Sequence, residues 1–214
     1  MDEADAYHLR NAGRNELRDD PVHDAMRRLA VNAPPQRVLE VGSSTGWRLS
    51  RIMHEFGCRV NGLEASQLAA EEAAATYPEV PTLIGRAPHQ LGYYLTGDFD
   101  VVILGYFAYL LPRHDLFYLA AQVDRLLVDD GHLIVFDFLA PAPLAREYAH
   151  DPDLRTYKAD PSAPWAWSPT YTLVERTLVR HEAHHVDLRD TNTWITVDVL
   201  RKHPVAVAYP EQRP

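Results

Sequence analysis

"VLEVGSSTG", residues 38–46, is a short apolar run that ends in a turn bracketed by two glycines. The run has the length and composition of a buried strand, and glycine permits the tight turn that should follow it. An acid, Glu40, stands two residues before Gly42, and three residues separate Gly42 from Gly46. What such a turn holds decides the reading of the chain.

Outward from this stretch, strands and helices alternate as far as residue 138. "GWRLSRIMHEFG" (46–57) is expected as a helix and "CRVNGLEA" (58–65) as a second strand. "SQLAAEEAAATY" (66–77) is rich in strong helix formers, with Ser66 as its N-cap. "PTLIGRA" (81–87) is a third strand. "FDVVILG" (99–105) is a fourth, its unbroken apolar run suiting a strand covered on both faces. "RHDLFYLAAQVDRLL" (113–127) is a helix, and "DDG" (129–131) turns the chain into a fifth strand, "HLIVFDF" (132–138). These intervals imply right-handed crossovers and a parallel sheet.

Residues 140–169 carry six prolines and two tryptophans and read as a loop-rich segment over one end of the sheet. "YTLVERTLVRHEA" (171–183) and "TWITVDVLRKH" (193–203) are expected as two long antiparallel strands, joined by a polar turn around Asp187–Asn192.

Composition narrows the function. At 214 residues the chain fits one domain by the usual prior of ~100–200 residues each. A hydrophobic content of 46% is enough to bury a sizeable core. The net charge of −9 opposes a nucleic-acid partner, which needs clustered Lys and Arg. A single cysteine, Cys58, excludes an intramolecular disulfide and a thiolate metal cluster. The N-terminal stretch lacks signal-peptide character, and no apolar run approaches the ~18 residues that span a bilayer. A cytoplasmic location without membrane contact is the expectation.

The glycine turn does not suit a phosphate. The dinucleotide fingerprint needs glycine where Ser44 stands, and the Walker loop needs lysine where Trp47 follows Gly46. A strand-end acid such as Glu40 repels phosphate and attracts a cationic amino group. Glu64 stands 22 residues after Gly42, at the end of the second strand, where an acid can accept both ribose hydroxyls. An amino-acid cation, a ribose and adenine in one molecule make S-adenosylmethionine.

The chain here resembles the class I S-adenosylmethionine-dependent methyltransferases. "LEVGSSTG" is similar to their E/D-x-G-x-x-x-G motif and "GLEAS" to their acidic ribose site. "FDVVILGYFAYLL" resembles their fourth-strand motif and "QVDRLLVDDGHLIVFDF" their fifth-strand segment. Outside that core, "YHLRN", "RTYKAD" and "SPTYTL" are similar to Y-x-x-R-N, S-Y-K-x-D and N-P-x-Y pieces of a group of small bacterial methyltransferases. The resemblance implies a Rossmann-like α/β fold, with a mostly parallel seven-stranded sheet that ends in an antiparallel hairpin and helices on both faces. Residues 1–36 would form a helical lid and residues 37–214 the methyltransferase domain, with 140–170 covering the substrate.

The same resemblance implies a set of cofactor-binding residues. Glu40, Gly42, Ser43, Ser44 and Gly46 belong to the turn, and Glu64 and Ala65 to the ribose site. Leu104, Gly105 and Tyr106 lie under the methionine moiety, and Tyr7 and Arg10 close over its carboxylate. In "IGRAP", Arg86 stands where relatives carry Asp or a small residue, and it either stacks on adenine or points to solvent. The Ala87 N–H can read the adenine edge.

For catalysis the candidates are Asp137 at the end of the fifth strand, His150 as a base, and Tyr157, Lys158 and Asp160 above the site. "HEAHH" suggests a metal, but His181 and His185 on a strand would stand about 13 Å apart, so none is expected. The expected activity is methyl transfer to an oxygen or nitrogen of a small-molecule acceptor, leaving S-adenosylhomocysteine. A protein or RNA methyltransferase and a catalytically silent cofactor-binding partner are the alternatives. The edge of the terminal hairpin can pair in a homodimer.

Overall fold

The run Val101–Leu104 is apolar at every position, so both faces of its strand must be covered. A computed structural model, which describes residues 2–12, 19–180 and 186–211, shows how this is done. The elements in chain order are α1 (Glu3–Asn11), α2 (Pro21–Ala30), β1 (Arg37–Val41), α3 (Trp47–Phe56), β2 (Arg59–Glu64), α4 (Gln67–Thr76), β3 (Thr82–Ile84) and β4 (Phe99–Gly105). They continue as α5 (Leu116–Leu126), β5 (Leu127–Phe138), β6 (Leu144–Tyr148), β7 (Asp151–Lys158), α6 (Ala163–Ala166), β8 (Tyr171–Arg180), β9 (Trp194–Lys202) and α7 (Val205–Ala208).

Seven strands form one sheet in the order β3-β2-β1-β4-β5-β9-β8, and β6 and β7 pair apart from it. The first five strands run parallel, while β9 is antiparallel to both β5 and β8. This matches the expected mostly parallel sheet with an antiparallel end. Strand order reverses between β1 and β4, the place where open α/β sheets leave a crevice beyond the strand ends.

Alternation along each strand divides the core in two. Val38 of β1 packs with Val22 and Met26 of α2 and Leu49 and Ile52 of α3. Its neighbour Leu39 faces the other way, into a cluster with Leu119, Val123 and Leu126 of α5. Ser66 caps α4, its Oγ accepting the Ala69 N–H at 3.0 Å. Helix α1 docks on α4 through polar contacts: Asp5 accepts from Ser66 Oγ at 2.7 Å, and His8 stands 3.1 Å from Glu72.

Two stretches differ from the sequence reading. The "DDG" stretch is no turn; β5 already begins at Leu127 and absorbs it through an irregularity in its pairing with β4, with Asp130 at φ 65°. Residues 140–170 are not loop-rich but hold the β6–β7 hairpin and α6. Most of their prolines bracket the hairpin, and Pro152 sits beside its turn, where no interior ladder bond is lost. Trp165 anchors this region, 3% exposed in the core of the α5 face, whereas Trp167 is 74% exposed. Among the described residues, no helix is long and apolar enough to cross a membrane.

Candidate functional site

The turn after β1 depends on glycine at its two ends and on a close approach from β4. Gly42 has a φ of +79°, in the left-handed region that favours glycine. A Cβ on Gly105, at the end of β4, would lie 2.8 Å from both Gly42 O and Glu40 Oε1. The backbones of β1 and β4 therefore touch across the switch point and make the floor of a cleft of about 550 Å³.

Glu64 closes one side of that cleft, at the end of β2. The Ser44 N–H donates to its Oε2 at 2.7 Å and the Ser66 N–H to its Oε1 at 2.8 Å. Burial pushes its carboxyl above the usual range, and these N–H groups oppose the shift. A carboxylate has about four acceptor sites, so room remains for a hydroxyl pair from the cleft. Ser43 lines the same wall, and its buried Oγ has no partner among the described residues.

Of the sequence candidates, Tyr7, Gly42, Ser43, Ser44 and Glu64 line the cleft. So do Ala65, Arg86, Ala87, Gly105 and Tyr106. Arg86 points outward: its side chain is 57% exposed and its guanidinium pairs with Asp2 at the start of α1.

Four cofactor candidates do not line it. Leu104 points into the core, 1% exposed, as strand alternation requires. Gly46 caps α3 at a φ of 78° and faces Val80 and Ala73 instead. Arg10 is engaged by Glu3 and by the Tyr148 hydroxyl, 3.0 Å away, so it does not reach over the cleft. Glu40 is fully buried beneath Gly105 and pairs with Arg48, so its carboxylate does not face the cleft.

Arg48, which the sequence reading passed over, lines the cleft. It donates from Nε to Asp20 at 2.7 Å and from Nη1 to Glu40. Its signal in the sequence was a cation in the first turn of a helix that begins directly at the glycine motif.

Two carboxylates facing one guanidinium leave an excess negative charge. Burial, joined by Asp20, pushes the Glu40 carboxyl from an ordinary 4.5 up to about 7 against the pull of Arg48. A buried acid with a raised pKa keeps its proton in the folded state after the unfolded chain has lost it. Its contribution to stability therefore falls as pH climbs from about 4.5 to about 7. Glu40→Gln is expected to fold and to flatten the melting-temperature profile across that window. A slope unchanged from the parent would mean that Glu40 stays ionised throughout.

The far side of the cleft is aromatic. Tyr106 stacks on Phe136 with ring centroids 5.2 Å apart, and Tyr109 and Phe107 join the lining. None of the five catalytic candidates lines the cleft. Asp137 is buried under the Ala108–Leu110 turn, accepting N–H bonds from Tyr109 (3.1 Å) and Phe138 (2.7 Å), and burial pushes its carboxyl up to about 7. It holds the turn that carries Tyr109.

His150 is exposed beside the hairpin turn, its ring edge-on to Tyr148. Tyr157 lies beneath the Arg113 guanidinium at 4.6 Å. Lys158 stands 3.6 Å over the Phe138 ring and donates to Asn192 O at 3.0 Å. Asp160 is captured by Arg176, which also holds the buried Asp198. From the hairpin, Leu154 reaches the cleft instead. The histidines of "HEAHH" (181–185) lie outside the described residues; within these, no group of three or more His, Cys, Asp or Glu could hold a metal ion.

No family model and no curated protein matches the sequence. Solved structures match over nearly the whole chain. The 1,6-didemethyltoxoflavin-N1-methyltransferase of Burkholderia thailandensis, solved with 1,6-didemethyltoxoflavin and S-adenosylhomocysteine, is 17% identical at a TM-score of 0.68. That match covers 92% of this chain and 84% of the other. The N-methyltransferase NodS of Bradyrhizobium japonicum WM9, solved with S-adenosylhomocysteine, is 14% identical at 0.68, over 94% and 99% of the two chains. A methyltransferase of Archaeoglobus fulgidus is 13% identical at 0.62, over 94% of this chain and all of that one. The chain thus has the fold of the class I S-adenosylmethionine-dependent methyltransferases.

Proposed function

We propose that this chain is an S-adenosylmethionine-dependent methyltransferase that moves a methyl group to an oxygen or nitrogen of a small molecule in the cytoplasm. One observation carries the reading: the buried carboxylate of Glu64, held by two N–H groups, borders the cleft beside the glycine turn. That is the chemistry a ribose diol requires.

Bound there, the sulfonium cofactor supplies an activated methyl group, so much of the catalytic task left to the protein is positioning. Glu64 would orient the ribose, the Ala87 N–H would meet the adenine edge, and the Gly42–Gly105 floor would receive the methionine end. Tyr106, Tyr109 and Phe136 pack the acceptor and exclude water.

The acceptor's size follows from what covers the cleft. Glu3, Ala4, Tyr7 and His8 of α1 line it from above, with Leu154 of the hairpin. That cover supports the α1 part of a lid of residues 1–36 over a domain of residues 37–214, while α2 packs into the core against β1 and α3, and it leaves room for a small molecule. The similar Burkholderia and Bradyrhizobium enzymes are both N-methyltransferases, which favours nitrogen over oxygen as the acceptor atom.

Titration calorimetry with S-adenosylhomocysteine is expected to show micromolar binding. Methyl-labelled S-adenosylmethionine should then pass its label to members of a panel of small amines, phenols and sugars. A folded sample that gives no heat overturns the reading. Label found on protein or RNA, with none on the panel, would replace the small acceptor by a macromolecule.

A further inference from the structure

We infer that the aromatic end of the cleft receives an acceptor with an ammonium group on a flat apolar body, an assignment that rests on the methyltransferase reading above. Glu3 of α1 supplies the counter-charge. The rings come from separate elements. Tyr106, directly after β4, lies with its ring centroid 5.2 Å from those of Phe136 and Tyr109, and Tyr7 of α1 joins them in the lining. Tyr106 holds a φ of 60°, a left-handed backbone that bulky residues rarely adopt, and strain of this kind gathers at ligand sites.

Glu3 stands beside those rings. It lines the cleft with a side chain that is 14% exposed. The Tyr148 hydroxyl donates to its Oε1 at 2.7 Å and is itself hydrogen-bonded to Tyr109. Arg10 also reaches Oε1, so Oε2 lies outside both contacts. Burial holds the Tyr106 and Tyr109 phenols far above their usual range, so both stay neutral and the carboxylate of Glu3 carries the negative charge.

Charge and shape select the ligand. Among the described residues, two arginines and no lysine line the cleft, and Arg48 is taken by Asp20 and Glu40, Arg86 by Asp2. Beyond the rings, Arg113 donates to Leu111 O and Lys158 to Asn192 O, each at 3.0 Å. A carboxylic acid would thus enter without a cation to meet it, and a sugar would leave hydroxyls against ring faces. An ammonium is attracted both by the negative faces of the rings and by a carboxylate. Its flat apolar body completes the stack on Tyr106. Before its nitrogen can attack, such an amine must pass a proton to a base, and a carboxylate in the subsite can take it.

The test uses the full chain saturated with S-adenosylhomocysteine and three probes of similar shape: benzylamine, benzyl alcohol and benzoate. Dissociation constants come from ligand-observed NMR titration of the parent, Glu3→Gln and Arg10→Met, each checked for folding by thermal melting. Both substitutions break the Glu3–Arg10 ion pair, but they change the charge beside the rings in opposite directions. A structural effect on α1 moves the two variants alike. A charge effect moves them apart.

The parent is expected to bind benzylamine roughly 10-fold more tightly than benzyl alcohol, and benzoate most weakly. Glu3→Gln should lose most of that preference, whereas Arg10→Met should enlarge it. Three results overturn the assignment: benzoate bound as tightly as benzylamine, the two variants shifted the same way or not at all, or none of the probes bound by a parent that holds S-adenosylhomocysteine. A folded parent that does not bind S-adenosylhomocysteine sinks the cofactor reading itself, an outcome distinct from all three.

Discussion

Replacing Glu64 by alanine is expected to weaken S-adenosylmethionine and S-adenosylhomocysteine by roughly 100-fold or more, since each hydrogen bond to a charged group contributes about 1.5–3 kcal/mol. The side chain does two tasks at once. It accepts the Ser44 and Ser66 N–H groups, which shape the turn and the start of α4. Its remaining acceptor sites are open to the two ribose hydroxyls. Alanine removes both, so the melting temperature should fall along with affinity.

The two effects separate by calorimetry on the folded fraction. Loss of stability alone lowers the number of competent molecules and leaves their affinity intact. Glu64→Gln keeps one acceptor oxygen and should fall between parent and alanine. Parent-like affinity in Glu64→Ala would remove the ribose assignment and the main support for the cofactor.

Gly105→Ala is the second large effect. The added Cβ would stand 2.8 Å from Gly42 O, 2.8 Å from Glu40 Oε1 and 3.2 Å from Val41 O. Two of those three atoms are backbone, one at the end of β1 and one in the turn that follows, and they cannot rotate aside. Either β4 moves away from β1 or the floor of the cleft buckles. Overpacking of this kind costs about 1–3 kcal/mol, which for a chain of this size lowers the melting temperature by roughly 2–12 °C.

Cofactor binding should be lost as well, because the floor is where the methionine end would rest. Gly92→Ala is the matched control, since nothing lies within 4 Å of the Cβ it would add. It should change stability by no more than about 0.5 kcal/mol. A variant at Gly105 that melts like the control would show that the β1–β4 contact is loose enough to absorb a methyl group.

What could be read in the chain before folding was whatever neighbours in sequence encode. Strand β4 announces itself by consecutive apolar residues, α4 by Ser66 ahead of an alanine-rich run, and the turn by its two glycines. Those elements fall where expected because periodicity, caps and turn chemistry act within a few residues. The site residues that line the cleft share this origin: Gly42, Ser43, Ser44, Glu64, Ala65 and Gly105 sit at or just beyond the ends of β1, β2 and β4. Sheet topology gathers those ends whatever the rest of the chain does. The β6–β7 hairpin escaped notice because prolines marked its borders more loudly than its body.

Tertiary structure decided where the long polar side chains went. Arg10 found Tyr148, 138 positions away, and left the cleft. Asp160 found Arg176 and became part of an ion-pair network with Asp198. Glu40, read as a ligand contact, was drawn beneath Gly105 by Arg48, and Arg48 took its place at the wall. An arginine or a carboxylate must be paired once it is buried, and its partner is whichever opposite charge the fold brings near. Local sequence determines the backbone frame and the residues rigidly attached to it. The charged side chains are settled only when distant segments meet and water is excluded between them.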